Sequence, residues 1–524
     1  MQPRLRAQVT LAFLLLSGIA ALSLLHGWLK APYLTNDSYQ YLDAAANLVS
    51  TGCLCTNIAH SDEQIAAGRM PVPLTHFPPA FPLVIAGLTR LGLTPETSGY
   101  LISATGFLIG IWLLWDIAVI LGGTPFIIFA FGALWIVHFG ALFYASAILT
   151  ESTFTAVILA IIAIAVHDLR AEGKTPALLA GLGAMAGLGF ALRTAGLFLI
   201  PPTLLYLFWR WRRNRETLPW ALASVVAMGL LVAPVEIRKL VYGGSWLAGY
   251  QAAATRPPAL VAALTIEGFY RIFLREYRIG SRQTEAHVFL ALMVAACLLV
   301  FLGWRRGIWA GSGKLLPAGL AIIGVFITSY AIGLFAASIG TSAVDPVRYY
   351  LPVYPPLLAG LAAAISGIRI SVLRRGLTGM ALLILAMHIS AFQRPPAPQH
   401  VAIEVPMREE AAPGLTVGQW LLNHVAPGTA ILAEEGQAMH YVLHFPVVSI
   451  IEPNFSRRGT DEFDFLSLMI RFKTRYIVLF PGMRTLQNSI PFLHALGYGY
   501  RPDWLMLRVR TPRVVIYECG ACAK

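Results

Sequence analysis

Apolar residues fall in long runs along most of the chain, and charged residues sit in the short stretches between them. Eleven runs are each about long enough for a helix to cross a bilayer core, which takes about 20 residues: 9–28, 98–121, 124–146, 152–167, 177–192, 194–209, 218–241, 287–304, 315–338, 349–367 and 377–392. The pattern predicts an α-helical polytopic membrane protein with about eleven transmembrane helices. The first run follows Arg4 and Arg6 as a signal peptide's would. It is longer than a usual signal core and no small-x-small cleavage site follows, so it reads as a retained helix.

Two stretches decide the topology. Residues 177–209 would measure about 50 Å as one helix at ~1.5 Å per residue, too long for a single crossing. Arg193 and Thr194 interrupt the run, and both flanks are basic, with Lys174 before it and Arg210, Arg212, Arg213 and Arg215 after it. Two helices meeting at Arg193 put both flanks on one side. Residues 77–92 begin with prolines and are short. If they crossed, the Arg-rich loop 210–215, Arg305–Arg306 and Arg369, Arg374 and Arg375 would all face outward, against the positive-inside rule. This stretch is therefore expected to lie at the outer interface. The N-terminus is then inside, and 29–97, 147–151, the turn at 193, 242–286, 339–348 and everything from Arg394 onward are outside.

Beyond the spans the pattern changes. A Pro-rich linker, 394–399, follows a membrane domain of residues 1–393 that includes the first outer loop, 29–97. Residues 400–524 alternate helical patterns near 414–425 and 461–472 with β-rich runs at 429–435, 446–451, 475–480 and 513–518, which predicts a small extracytoplasmic α/β domain.

Composition agrees. Only 12% of residues are charged, against about 25% in a soluble globular protein. The net charge of +13 raises the question of nucleic acid, but the Lys and Arg residues lie mostly in short loops between spans rather than on one soluble face, so no nucleic acid is expected.

Candidate chemistry collects on the outer side. Asp37 opens a short amphipathic helix in the first loop, where helix N-capping is the simpler reading. His76 lies in THFPPAFPL, Glu151 at the outer end of a span in LTES, Arg193 at the tip of the helical hairpin, and Arg348 with Tyr349 in DPVRYYLPVYPP. Each signal is weak alone: prolines make turns, Arg snorkels and tyrosines anchor interfaces. Together they place two carboxylates and two guanidiniums in one compartment, able to serve a phosphate leaving group and a general base.

The order NDSYQYLDAAANL, THFPPAFPLVIAGLTRLG, LTES, GLGFALRTAGLFLIPP and RYYLPVYPPLL resembles the GT-C glycosyltransferases that use lipid-linked sugars, of the protein mannosyltransferase and aminoarabinose transferase group. The resemblance spans roughly 30–370. It implies an inverting transferase that moves a sugar from a polyprenyl phosphate to an acceptor hydroxyl of a lipid, glycan or protein on the outer face of a bacterial inner membrane, with Asp37 as base. Arg193, Arg348 and Tyr349 are the candidates for the donor phosphate, and Glu151 and His76 for acceptor, sugar or a divalent cation. The family's paired acidic motif is replaced here by Asn36-Asp37-Ser38, which puts metal binding at that point in question. A transporter of lipid-linked sugar and a non-catalytic assembly protein are the rival readings.

Other signals carry less. GIWAGSGKL, 307–315, lacks the P-loop's spacing and its Ser or Thr after the lysine. Cys53, Cys55, Cys519 and Cys522 leave open a disulfide from loop to tail, a metal site or free thiols, while Cys297 reads as a core residue. The loop 242–286, with Arg271 and Glu267, reads as an interface helix or an acceptor-docking element.

Overall fold

The computed structural model of the chain describes residues 3–29, 33–60, 62–172, 177–244, 257–274, 315–340, 346–390, 399–450, 461–481, 490–497, 499–520 and 522. After α1 (Pro3–Leu29) come α2 (Asn36–Thr51), β1 (Cys55–Thr56), β2 (Ile58–Ala59), α3 (Asp62–Ala67), β3 (Val72–Pro73) and α4 (Ala80–Arg90). A run of helices follows: α5 (Pro95–Ile120), α6 (Pro125–Val137), α7 (Phe139–Ser146), α8 (Glu151–Arg170), α9 (Ala177–Leu192), α10 (Ile200–Arg213), α11 (Leu218–Gly243), α12 (Pro258–Leu274), α13 (Leu315–Gly340), α14 (Pro346–Tyr350), α15 (Tyr354–Ser366) and α16 (Ser371–Ser390). The tail holds α17 (Gln399–Met407), β4 (Glu410–Ala412), β5 (Leu415–Thr416), α18 (Val417–His424), β6 (Ile431–Ala433), α19 (Gly436–Leu443), β7 (Val447–Ser449), α20 (Glu462–Phe472), β8 (Tyr476–Leu479), α21 (Pro491–Gly497), β9 (Leu505–Arg510) and β10 (Val515–Cys519).

The chain divides into two units. The first comprises Met1–Pro32, Tyr100–Val235 and Arg256–Pro395, and all its regular elements among the described residues are helices. Among the described residues four helices are long and apolar enough to cross a membrane, five if α6 and α7 form one bent span. The expected span 287–304, with Cys297, lies outside the described residues. Small residues bring the helices close. A Cβ on Gly183 would sit 2.0 Å from the Ser224 carbonyl oxygen, and one on Gly106 2.6 Å from the Thr153 Cα.

Two breaks matter in this unit. The expected interruption at Arg193 is present. The α9 helix ends at Leu192, Arg193 is extended (φ −156°, ψ 131°), and a 3-10 turn over Thr194–Leu199 leads into α10, whose first turn holds Pro201 and Pro202. Gly196 backs onto α9 so closely that a Cβ there would lie 2.2 Å from the Gly189 carbonyl carbon. The second break was not legible: 124–146 is two helices bent by 58° at His138. The His138 Nδ1 accepts the Ala141 N–H and so caps α7, and its Nε2–H donates to the Ile272 carbonyl at 2.7 Å. A side chain thus supplies the partner that the broken helix end loses.

The second unit comprises Tyr33–Gly99, Glu236–Thr255 and Pro396–Lys524. Its six-stranded sheet runs β2-β7-β6-β8-β10-β9. The first four strands are parallel, with Leu432 opposite Val448 and Ile477, and β10 then pairs antiparallel with β8 and β9. The strands β6, β7 and β8 are buried along their whole length, as parallel strands covered on both faces must be. They fall inside runs expected from the sequence. The α20 helix lays Phe465, Leu468, Met469 and Phe472 on the sheet. The edge strand β9 exposes Arg508 and Arg510, and charge on a free edge discourages pairing with another chain.

The first loop shares this unit. Its β2 is the sheet's outermost strand, so the segment read above as an appendage of the membrane domain is built into the fold of the tail. Disulfides join Cys53 to Cys55 and Cys519 to Cys522. Each closes within its own segment rather than linking loop to tail.

Candidate active site

In the helical unit, four residues far apart in sequence meet. Glu151 is the first residue of α8, only 1% exposed. Its Oε1 accepts from the Arg193 Nη1 at 2.5 Å and from the Arg348 Nε. The Arg193 Nη1 also donates to the Thr150 hydroxyl at 3.2 Å. The Arg193 guanidinium lies 4.5 Å over the ring of Tyr349, a cation–π contact. The Tyr330 hydroxyl donates to the Tyr349 carbonyl at 3.0 Å, and the Tyr350 hydroxyl lies 3.2 Å from that of Thr265 on α12.

Local structure explains the meeting. The break after α9 turns Arg193 toward the start of α8. The short helix α14 carries Arg348 and Tyr349, then gives way to a 3-10 turn over Leu351–Val353 before α15. Glu151 therefore stands between two cations that belong to two other helix ends. A buried carboxylate is tolerated only when paired. Among the described residues, one carboxylate here meets two guanidiniums. The Oε2 of Glu151 and the Nε of Arg193 have no hydrogen-bond partner among the described residues. A guanidinium with donor capacity left, as at the Arg193 Nε, is suited to an anion such as a phosphate.

Asp37 and His76 lie in the second unit. Asp37 is in the first turn of α2 and is half-buried. It does not cap the helix. Thr35 does, in a reciprocal pair with Ser38 in which the Ser38 N–H donates to the Thr35 hydroxyl and the Thr35 N–H to the Ser38 hydroxyl. The capping reading of Asp37 is thereby corrected, because Thr35 already satisfies the helix end. The His76 ring packs against those of His60 and Phe77, each at 4.7 Å. Burial, followed by the neighbouring His76, holds the His60 imidazole well below its ordinary pKa.

A second polar centre in this unit carries no mark in the local sequence. Asp43, one turn and a half beyond Asp37 on α2, accepts hydrogen bonds from Thr56 Oγ1 (2.8 Å), the Asn57 N–H (2.5 Å), Asn57 Nδ2 (3.2 Å) and Asn47 Nδ2 (3.3 Å), and its Oδ1 lies 3.0 Å from the His440 Nε2. His440 Nδ1 lies 2.6 Å from the Phe445 carbonyl oxygen. Both neighbours are acceptors, so both ring nitrogens carry protons and the ring is an imidazolium. Burial opposes charge on each partner, but their hydrogen bond and mutual attraction outweigh it. Asp43 is held below the ordinary carboxylate range and His440 above the ordinary imidazole value. Nothing local marks a pair 397 residues apart.

Among the described residues, no group of three or more His, Cys, Asp or Glu side chains comes together to hold a metal ion.

Residues 76–237 match the family model described as dolichyl-phosphate-mannose-protein mannosyltransferase. That range takes in His76, Glu151 and Arg193. Two solved structures of ArnT from Cupriavidus metallidurans have the same fold. The one bound to undecaprenyl phosphate gives a TM-score of 0.55 at 14% identity, covering 98% of each chain, and the apo one gives 0.52 at 14% identity with the same coverage. The arabinofuranosyltransferase AftD from mycobacteria gives 0.51 at 16% identity over 97% of this chain and 40% of its own. No curated protein matches the chain. The resemblance to GT-C proteins read from the sequence thus holds for the fold, and the chain is an integral membrane protein.

Proposed function

We propose that the protein is a membrane glycosyltransferase that moves a sugar from a polyprenyl-phosphate donor to an acceptor hydroxyl, with inversion at the anomeric carbon. The observation that carries this reading is the Glu151–Arg193–Arg348 cluster, two guanidiniums on one buried carboxylate, in a fold shared with a protein whose structure holds undecaprenyl phosphate.

Each residue then has a role. The acceptor oxygen attacks the anomeric carbon, and its proton passes to the Asp37 carboxylate as general base. The bond from the anomeric carbon to the phosphate oxygen breaks, and its electron pair stays with the phosphate. Arg193 and Arg348 stabilise the charge that develops there, so the leaving group needs no protonation. Tyr349 steadies the Arg193 guanidinium from below. Glu151 aims both arginines, and with His76 it is the candidate to contact sugar, acceptor or a divalent cation. One base and two cations differ from the carboxylate pair of a glycoside hydrolase.

The topology belongs to the same reading: about eleven crossings of a bacterial inner membrane, a cytoplasmic N-terminus and an extracytoplasmic tail. The acceptor is a lipid, glycan or protein. Mass spectrometry of envelope lipids and glycans from a deletion strain tests the function. The expected result is loss of one glycosylated species with its unglycosylated acceptor accumulating. An unchanged glycan and lipid profile would count against transfer.

A further inference from the structure

The geometry points to His440, in the tail, as a positioning residue for the helix that carries Asp37. This rests on the reading of Asp37 as base. Three observations within the second unit support it. Asp43 lies six residues after Asp37 on α2, about 9 Å along a helix of ~1.5 Å rise per residue, so what fixes Asp43 fixes the base as well. His440 is the only ionic partner of Asp43 among the described residues. The neighbouring Tyr441 packs its ring 5.2 Å from that of Tyr39, one turn before Asp43 on the same face of α2. Consecutive residues of α19 therefore grip two successive turns of α2.

The His440 side chain is the part of this grip with orientational content. An imidazolium held by the Phe445 carbonyl on one side can donate to Asp43 in one direction only. The other donors to Asp43 come from Asn47, Thr56 and Asn57, all close to it in the chain. Asn57 reaches the tail only through its carbonyl, which accepts the Val447 N–H at 2.8 Å beside β2, so that link holds the loop to the sheet, whereas His440 holds α2 to α19. Removing the imidazole would leave α2 intact, with the Tyr39–Tyr441 ring contact as its remaining hold on α19 at this point, and so loosen its setting against that helix. A misplacement of about 1 Å at a reacting group can cost about 100-fold in rate.

The test compares His440→Ala with His440→Gln, whose amide nitrogen falls near the place of the imidazole Nε2. It uses the full-length protein, purified for binding and hydrogen exchange and returned to the deletion strain for transfer. The expected results for His440→Ala are transfer reduced about tenfold or more, undecaprenyl phosphate affinity unchanged, and faster amide exchange confined to residues 36–51. His440→Gln should restore both transfer and protection. Wild-type transfer by His440→Ala would overturn the assignment. So would an equal loss in both variants, or exchange rising throughout β6, β7, β8 and β10, which would mark His440 as a general stabiliser of the unit. Asp37→Asn, run alongside, keeps the two readings apart. Normal transfer by that variant overturns the base itself, whereas its failure combined with an unaffected His440→Ala overturns only the positioning.

Discussion

Arg193 is held from three directions, by the Glu151 carboxylate, the Thr150 hydroxyl and the face of the Tyr349 ring. A guanidinium has the planar fork to satisfy all three while presenting another edge, and a lysine does not. A hydrogen bond to a charged group contributes ~1.5–3 kcal/mol, and each ~1.4 kcal/mol is a factor of ten in affinity. Arg193→Ala should therefore weaken undecaprenyl phosphate binding by about ten- to a hundredfold, and Arg193→Lys should recover only part of it. Unchanged affinity in titrations of the purified variant would contradict its role. Glu151→Ala acts differently, since it leaves two guanidiniums confined without their anion. Removing one partner of a buried ion pair costs ~3–5 kcal/mol, so a marked fall in melting temperature is expected, and a wild-type Tm would contradict the pairing. The residues of this cluster were visible in the sequence because charge is conspicuous at the ends of apolar runs. Their ion pairing was not, since 151 and 348 lie in two separate helices and 193 in the break after a third, with nothing local linking them.

At the scale of elements, two devices carry the site. The first is the break after α9, legible because a charged residue interrupts an overlong apolar run. What allows it is the contact of Gly196 with Gly189, which the sequence does not mark. Overpacking costs ~1–3 kcal/mol, so Gly196→Ala should lower the Tm and weaken undecaprenyl phosphate binding together, because the shift falls on the residues next to Arg193. A variant with wild-type Tm and affinity would show that the turn has slack. The bend at His138 escaped notice because every neighbour is apolar and only the cap on the Ala141 N–H reveals the break.

The second device is the junction of α2 with α19. With His440 raised above its unfolded pKa, its contribution is fully present below ~6.5 and is lost as pH rises through its folded value. With Asp43 lowered, its contribution is present above ~3.9 and is lost as pH falls through its folded value. The melting-temperature difference between wild type and His440→Leu should be largest between about pH 4 and 6.5 and shrink on both sides. A difference independent of pH would mean that the pair is not ionised.

At the scale of the whole molecule, periodicity and charge made some helices and the main tail strands legible, since α8, α9, α13 and β6, β7, β8 and β10 fall in or on the expected runs. The share of the first loop in the tail was hidden, because β2 is two residues long and its partner β7 lies nearly 400 residues away. That strand turns a loop and a tail into one unit, and within it Asp37 sits on a helix whose cap, register and contacts are all fixed by neighbours. Transfer as proposed depends most directly on that carboxylate. The decisive measurement is transfer by Asp37→Asn in the deletion strain, read as the mass of the glycosylated product with the protein level in the membrane followed alongside. The variant should reach the membrane at the wild-type level and restore no product, while the wild-type gene restores it. Product at the wild-type level from Asp37→Asn would contradict the account.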